Sequence, residues 1–298
     1  MRDNPLRQTP PGSPPCSRLI VNADDFGISV RVNEGIVRAH RQGIVTSTSL
    51  MAGGRAFDHG VQCWRDTPTL DVGVHLTVVA ERPVLERRSS LTGADGRFPA
   101  SAGVFLRGFL SGAIRRVDVA AEWAAQIERI RDQGIRVTHL DSHQHLHILP
   151  GLADLALHLA ARYDVPFVRV PVENPLRSQW ASRRDLERML GATALQVCWT
   201  LARLIGAGAM SSHAPRFLGF HAGGRLDDLR LERLLHALRP GRTYELMCHP
   251  GLRPDEAEIQ SWGYSHETEL YALTNPTLRS VLAARNIRLC SFADLAKA

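Results

Sequence analysis

Two adjacent acids close the apolar run Leu19-Ile20-Val21-Asn22-Ala23, and Asp24-Asp25 are followed at once by Phe26-Gly27. Neighbouring carboxylates repel, so a pair at the end of a buried run points to a shared cation. Imidazoles that could join them stand in two later segments. One is His75, after Val72-Gly73-Val74. The other is the cluster His139-Leu140-Asp141-Ser142-His143-Gln144-His145-Leu146-His147. One carboxylate oxygen and two imidazole nitrogens make an open metal site that keeps a position for water, the donor set of metal-assisted hydrolysis. In the cluster, period-two spacing puts Asp141, His143, His145 and His147 on one strand face, whereas helical spacing pairs His143 with His147. Either geometry gathers imidazoles that core packing would leave without partners. His249 ends another apolar strand, Thr243 to His249, just before Pro250-Gly251. Arg169, flanked by valines, needs a carboxylate partner if buried, and Asp24 or Asp141 can supply it. Asp-Phe-Gly also occurs in protein kinases, but here no lysine strand or catalytic loop accompanies it.

The elements that would position these residues follow from the punctuation of the chain. Apolar strand-like runs alternate with helical ones from residue 18 onward, which favours a parallel sheet or barrel wrapped by helices. Strands are predicted over 19–25, 44–51, 70–76, 137–141, 167–170, 243–249 and 287–292. Helices are predicted over 33–42 with Gly43 as its cap, 56–65, 117–133 closed by Gly134, 152–163, 184–205, 226–238 and 276–285. Residues 78–104 hold prolines, glycines and charges without a period and read as an excursion over the sheet. Seven or eight strand and helix units make one α/β domain over 18–298, a TIM-barrel-like (β/α) barrel whose closure is left open. Residues 172–225 form an elaboration with an inserted helix, and 1–17 a disordered tail.

Composition narrows the remaining classes. With 298 residues, 44% of them hydrophobic, the chain can bury a sizeable core, and its net charge of +6 comes from scattered arginines and a single lysine. Arg87-Arg88 and Arg183-Arg184 are too short to make a nucleic-acid surface, so no nucleic-acid partner is expected. Five dispersed cysteines without a CxxC pair read as reduced thiols of a cytoplasmic protein, and the proline-rich start lacks the apolar core of a secretory signal. The apolar segment Ala192 to Met210 is interrupted by Gln196, Thr200 and Arg203, so no transmembrane helix is expected. Contact with a lipid surface, such as the inner membrane, stays open. A homodimer is the default assembly.

The motifs Ile20 to Gly27, Gly43-Ile44-Val45-Thr46-Ser47, Gly73-Val74-His75-Leu76, His139 to His147 and Glu245 to Gly251 resemble those of the YdjC-like carbohydrate deacetylases, in the same order over residues 18–251. The resemblance implies a TIM-barrel-like fold and metal-dependent removal of acetyl from an N-acetylated amino sugar. It makes Asp25, His75 and His143 the ligands of one divalent ion, with magnesium or zinc expected, and Asp24 the base held by Arg169. His249 is the candidate acid, with His145 or His147 next; His145, His147 and Asp141 are expected to contact substrate. The apolar helix within 172–225 is more similar to the branch associated with hopanoid biosynthesis, which implies a sugar carried on a lipid. Two rival readings stay open: a metal-dependent hydrolase of another acyl amide or a phosphoester, and a non-catalytic metal-bound carbohydrate-binding protein.

Overall fold

Residues 15–87, 89–174, 183–204 and 214–297 are described by the computed structural model. Eight strands build one sheet in which every pairing is parallel, in the order β5-β4-β3-β2-β1-β7-β6, with β8 on β1. The central strand β1 (Ser17–Phe26) is buried along almost its whole length. That explains its continuous apolar run, since a parallel strand covered on both faces has no reason to alternate. Around it lie β2 (Ser47–Leu50), β3 (Asp71–Leu76), β4 (His139–Ser142) and β5 (Phe167–Val168) on one side. On the other lie β6 (Arg216–Leu218) and β7 (Thr243–Cys248), and β8 (Ile287–Leu289) pairs with residues 17–19. No pairing joins β5 to β6 among the described residues, so the sheet is a curled, incomplete barrel.

The helices cover it in chain order: α1 (Val30–Gln42), α2 (Phe57–Arg65), α3 (Ala102–Leu110), α4 (Arg116–Arg131), α5 (Ala153–Arg162) and α6 (Arg183–Leu204). Then follow α7 (Asp228–His236), α8 (Ala257–Gln260), α9 (His266–Leu273), α10 (Leu278–Ala284) and α11 (Phe292–Leu295). The main hydrophobic core runs from Leu19 to Ile287, with a smaller cluster of Ile20, Cys290 and Phe292 beside β8. No helix among the described residues is long and apolar enough to cross a membrane.

Several expectations need adjusting. The strand begins at Ser17, inside the expected tail, because Ser17 and Arg18 already pair with β8; residues 1–14 lie outside the described residues, as do 175–182 and 205–213 of the elaboration. Gly43 ends α1 without the left-handed backbone of a glycine cap, at φ −120°. Its lack of a side chain serves close approach, since a Cβ there would sit 2.2 Å from the Leu273 carbonyl oxygen. The turn-rich excursion after β3 runs into α3, which starts at Ala102, and residues 252–275, to which no element was assigned, hold α8 and α9. The strand predicted over 287–292 stops at Leu289, where Ser291 instead caps α11 through a reciprocal bond with Asp294.

Candidate metal and catalytic centre

A β-bulge brings the two acids to one place. The register of β1 on β2 runs Ala23 to Thr48 and then Phe26 to Leu50, so Asp24 and Asp25 together face the single residue Ser49. Asp25 takes a left-handed φ of 66°, which aspartate tolerates better than most residues, and Gly27 at φ 93° completes the turn. Without the bulge the two side chains would point to opposite faces of the sheet.

His75 arrives on the neighbouring strand end and His143 just after β4. Asp25 Oδ1 lies 2.9 Å from His143 Nδ1 and 3.3 Å from His75 Nε2, and the two rings meet edge to face at 5.6 Å. Asp25, His75 and His143 each offer a ligand atom within 4.8 Å of the others. The other ring nitrogen of His75 donates to Asp141 Oδ1 at 2.8 Å, the carboxylate support that commonly orients a metal-ligating imidazole. His143 Nε2 is buried without a hydrogen-bond partner among the described residues. One carboxylate, two imidazoles and an orphaned ring nitrogen fit a divalent cation. Asp24, His75 and Asp141 also lie close enough to share one, but the oxygens of Asp24 are already committed to Arg169 and those of Asp141 to Arg169 and His75.

Arg169 sits at the centre of the curled sheet with 1% of its surface exposed. Its Nη1 donates to Asp24 Oδ2 at 2.6 Å and its Nη2 to Asp24 Oδ1 at 2.7 Å, a bidentate fork. Nη2 is also 2.8 Å from Asp141 Oδ2, and Nε donates to Glu245 Oε1 at 2.7 Å. Both carboxylates expected as partners are therefore present, with a third from β7. Asn22 Nδ2 donates to Asp24 Oδ1 at 2.9 Å and to Ser49 Oγ at 2.8 Å, while Ser49 donates to Asp141 Oδ2 at 2.7 Å. Four strands, and the residue that follows β5, are thus tied to one base.

The charges distort each other's titration. Burial opposes ionisation of Asp25, but His143 and His75 hold it well below the usual carboxylate range. Burial also opposes the charged His75, yet Asp141 and Asp25 push it up to about 10. Burial raises Glu245 to about 7 against the pull of Arg169. For His249, burial wins and lowers the ring to about 4.

The histidine cluster is neither of the predicted forms. After β4 ends at Ser142, Gln144 and His145 both adopt left-handed backbone, φ 57° each, inside a short 3₁₀ segment (His143–Ile148). Two such residues in succession reverse the chain and scatter the rings instead of aligning them. His143 reaches Asp25. His145 lines the cavity against the Phe217 and Phe220 rings at 5.8 and 5.6 Å, its Nδ1 buried without a partner among the described residues. His147 turns inward, between Ser142 Oγ at 2.6 Å and the Arg169 carbonyl at 2.9 Å. His147 and Asp141, expected among substrate contacts, are fully buried and occupied within the chain; they hold other residues in place.

His249 follows β7 and lines the same cavity of about 440 Å³, together with Asp24, Asp25, His75, His143 and His145. Its Nδ1 has no partner among the described residues. Its backbone is fixed from behind: Glu269 Oε2 accepts the His249 N–H at 2.5 Å, and His266 Nδ1 donates to the His249 carbonyl at 2.9 Å. Glu269 and His266 were not visible as site residues, since α9 has no apolar period to place it. Glu245 was not singled out either, although a lone acid inside an apolar strand, the feature that drew attention to Arg169, is the signal that could have found it.

The chain matches the model of a family described as YdjC-like protein over residues 18–284. A carbohydrate deacetylase of Brevibacillus brevis is 34% identical over 283 residues, which cover 93% of this chain and 99% of the relative. A chitooligosaccharide deacetylase of Salmonella dublin is 33% identical over 281 residues, covering 93% and 98%. Among solved structures, an Enterococcus faecalis protein named for cellobiose-phosphate cleavage superposes with a TM-score of 0.74 at 27% identity, over 94% of this chain and 99% of that one.

Proposed function

This chain belongs to the YdjC-like family, and from that membership we propose that it is a carbohydrate deacetylase, a hydrolase that removes the acetyl group from an N-acetylated amino sugar. The observation that carries the reading is the Asp25, His75 and His143 group opening on one cavity beside an Arg169-held Asp24. Asp25, His75 and His143 would hold a divalent ion, magnesium or zinc, which supplies Lewis acidity toward the acetamide oxygen and lowers the pKa of a water. Asp24 accepts the proton of the attacking water as its oxygen bonds to the carbonyl carbon. The Arg169 fork keeps that carboxylate from rotating. The C–N bond then breaks, and the amine takes a proton from His249. Because burial keeps that ring neutral near neutral pH, the proton it delivers is the one Asp24 took from the water, passed to His249 as negative charge develops on the acetamide. Acetate and the free amino sugar leave.

The cavity supports a narrower substrate. Beside its polar wall it is lined by Leu106, Leu146, Leu149, Leu195, Cys198, Phe220 and Met247, a poor match for a fully hydroxylated oligosaccharide. We assign that wall to the apolar part of a lipid-linked amino sugar, a glycosylated hopanoid among the candidates. On the opposite face of α6, Leu186, Leu190, Val197, Leu201 and Leu204 are exposed at helical spacing, which suits contact with a lipid surface.

The test is mass spectrometry of N-acetylglucosamine conjugates, with and without lipid, after incubation with zinc- or magnesium-loaded protein. Loss of one acetyl group with release of free acetate is expected. Release of a different acid or of phosphate would favour the broader hydrolase reading. Binding without turnover, unchanged in Asp24→Asn, would make the protein a carbohydrate binder. Equal kcat/KM with and without the lipid would remove the lipid-linked version.

A further inference from the structure

Beside the catalytic cavity lies a second, smaller cleft of about 180 Å³, lined by Glu187 and Arg188 of α6, Gly223, Gly224 and Arg225 after β6, and the turn Trp262-Gly263-Tyr264. Arg188 and Tyr264 belong to both spaces, so the cleft opens onto the reaction centre. Its aromatic wall rests on the chemistry: the Trp262 ring is 5.2 Å from that of His143, Tyr264 is 4.7 Å from His249, and the two aromatics meet edge to face at 5.9 Å. The wall is held from behind. Gly224, at φ +77°, packs so close that a Cβ would stand 2.5 Å from Tyr264 Cδ1. Arg188 Nη2 donates to the Gly223 carbonyl at 2.8 Å, fixing a five-donor guanidinium where the two spaces join.

We propose that this cleft holds the pyranose ring of the substrate, with Trp262 and Tyr264 as its stacking wall and Arg188 as a hydroxyl partner. The proposal rests on the carbohydrate reading above. A pyranose with equatorial hydroxyls presents C–H bonds on its faces and oxygens on its rim. It therefore stacks on aromatic faces and hydrogen-bonds at its edge, the combination this cleft offers. The aliphatic side of the main cavity offers neither. Seated against Trp262, the ring directs its acetamide toward Asp25, His75 and His143 and its aglycone toward Leu106 and Leu195, which gives the amphipathic substrate one orientation.

The test uses metal-loaded, full-length protein with a soluble alkyl N-acetylglucosaminide. Trp262→Ala should raise KM about tenfold, with kcat within about twofold and with metal content and circular dichroism unchanged. Trp262→Phe, which keeps a stacking face, should recover most of the loss. In the wild type, titration with the sugar should shift tryptophan emission, and Trp262→Phe should bind with similar Kd while losing that shift. An unchanged KM in Trp262→Ala, or a Trp262→Phe variant as impaired as the alanine, overturns the proposal. Absence of acetate release from every sugar by the wild type would instead sink the deacetylase reading, while the emission titration would still decide whether the cleft takes a sugar.

Discussion

The carboxylate that orients His75 also holds a proton on it, and metal binding must displace that proton. Burial by itself would lower the ring, but Asp141 at 2.8 Å from Nδ1 and Asp25 at 3.3 Å from Nε2 push it up to about 10. A ligating imidazole is neutral. At a pH of about 7 a group titrating near 10 is deprotonated in roughly one molecule per thousand. The apparent metal affinity should therefore climb about tenfold per pH unit from about 7 upward, with about one proton released for each ion bound. Calorimetric titration of zinc or magnesium into chelator-treated protein, in buffers of different ionisation enthalpy, counts that proton. The same shift fixes the sign of a stability effect. The folded value lies above the ordinary 6.5, so the stabilisation is complete below that and fades as pH rises through about 10. Metal-free protein should lose on the order of a few kcal/mol over that window. Metal-loaded protein, whose His75 carries no such proton, should not follow it. An affinity flat between about pH 6.5 and 8.5, with no proton passed to the buffer, would refute the reasoning.

Three further outcomes follow from other contacts. Asp24→Asn should lower kcat by about 10²- to 10⁴-fold while atomic absorption finds the same metal content, because the Arg169 fork and not the ion holds Asp24. Glu245→Gln should flatten the pH dependence of stability: burial raises the wild-type acid from 4.5 to about 7, so stability present below 4.5 is lost as pH rises through 7. The loss is about 3 kcal/mol, and urea denaturation at acidic and mildly alkaline pH compares the two proteins. Gly35→Ala should cost about 1–3 kcal/mol and lower kcat, since its Cβ would lie 2.3 Å from Gly251 Cα with backbone on both sides. That contact sets the turn after His249, and denaturation together with steady-state kinetics reads both effects.

Most of the scaffold was legible because parallel strands buried on both faces leave long apolar runs, as in β1 and β7, and because the intervening helices end at turn residues. The gathering of distant acids and imidazoles was legible from chemistry alone: Asp25, His75 and His143 are hard to explain separately. Backbone devices escaped. A bulge opposite Ser49 and two left-handed residues at Gln144 and His145 leave no mark on hydrophobic periodicity, so the cluster of rings read as one face when its members go to three places. Trp262, Tyr264 and Glu269 escaped for another reason. They lie in the turn between the short elements α8 and α9 or on α9 itself, whose position is set by packing against His249 and the loop after β6, through Leu226 N–H to Glu269 and Gly224 against Tyr264, and not by local sequence.

The electrostatics of the centre also argue for why the bulge is worth its strain. Three carboxylates, Asp24, Asp141 and Glu245, crowd around one guanidinium with Asp25 beside them, and His75 adds a second positive charge. A buried excess of acid is unfavourable unless it is protonated or neutralised. Glu245 at about 7 shows the first response and His75 at about 10 the second. A divalent ion held by Asp25, His75 and His143 would supply that neutralising charge in place of the His75 proton. Turning Asp25 out of strand geometry directs one carboxylate of the adjacent pair to the imidazoles and leaves the other to Arg169. The two neighbouring acids thus acquire different counter-charges, and that separation is what allows one to hold an ion while the other remains a base.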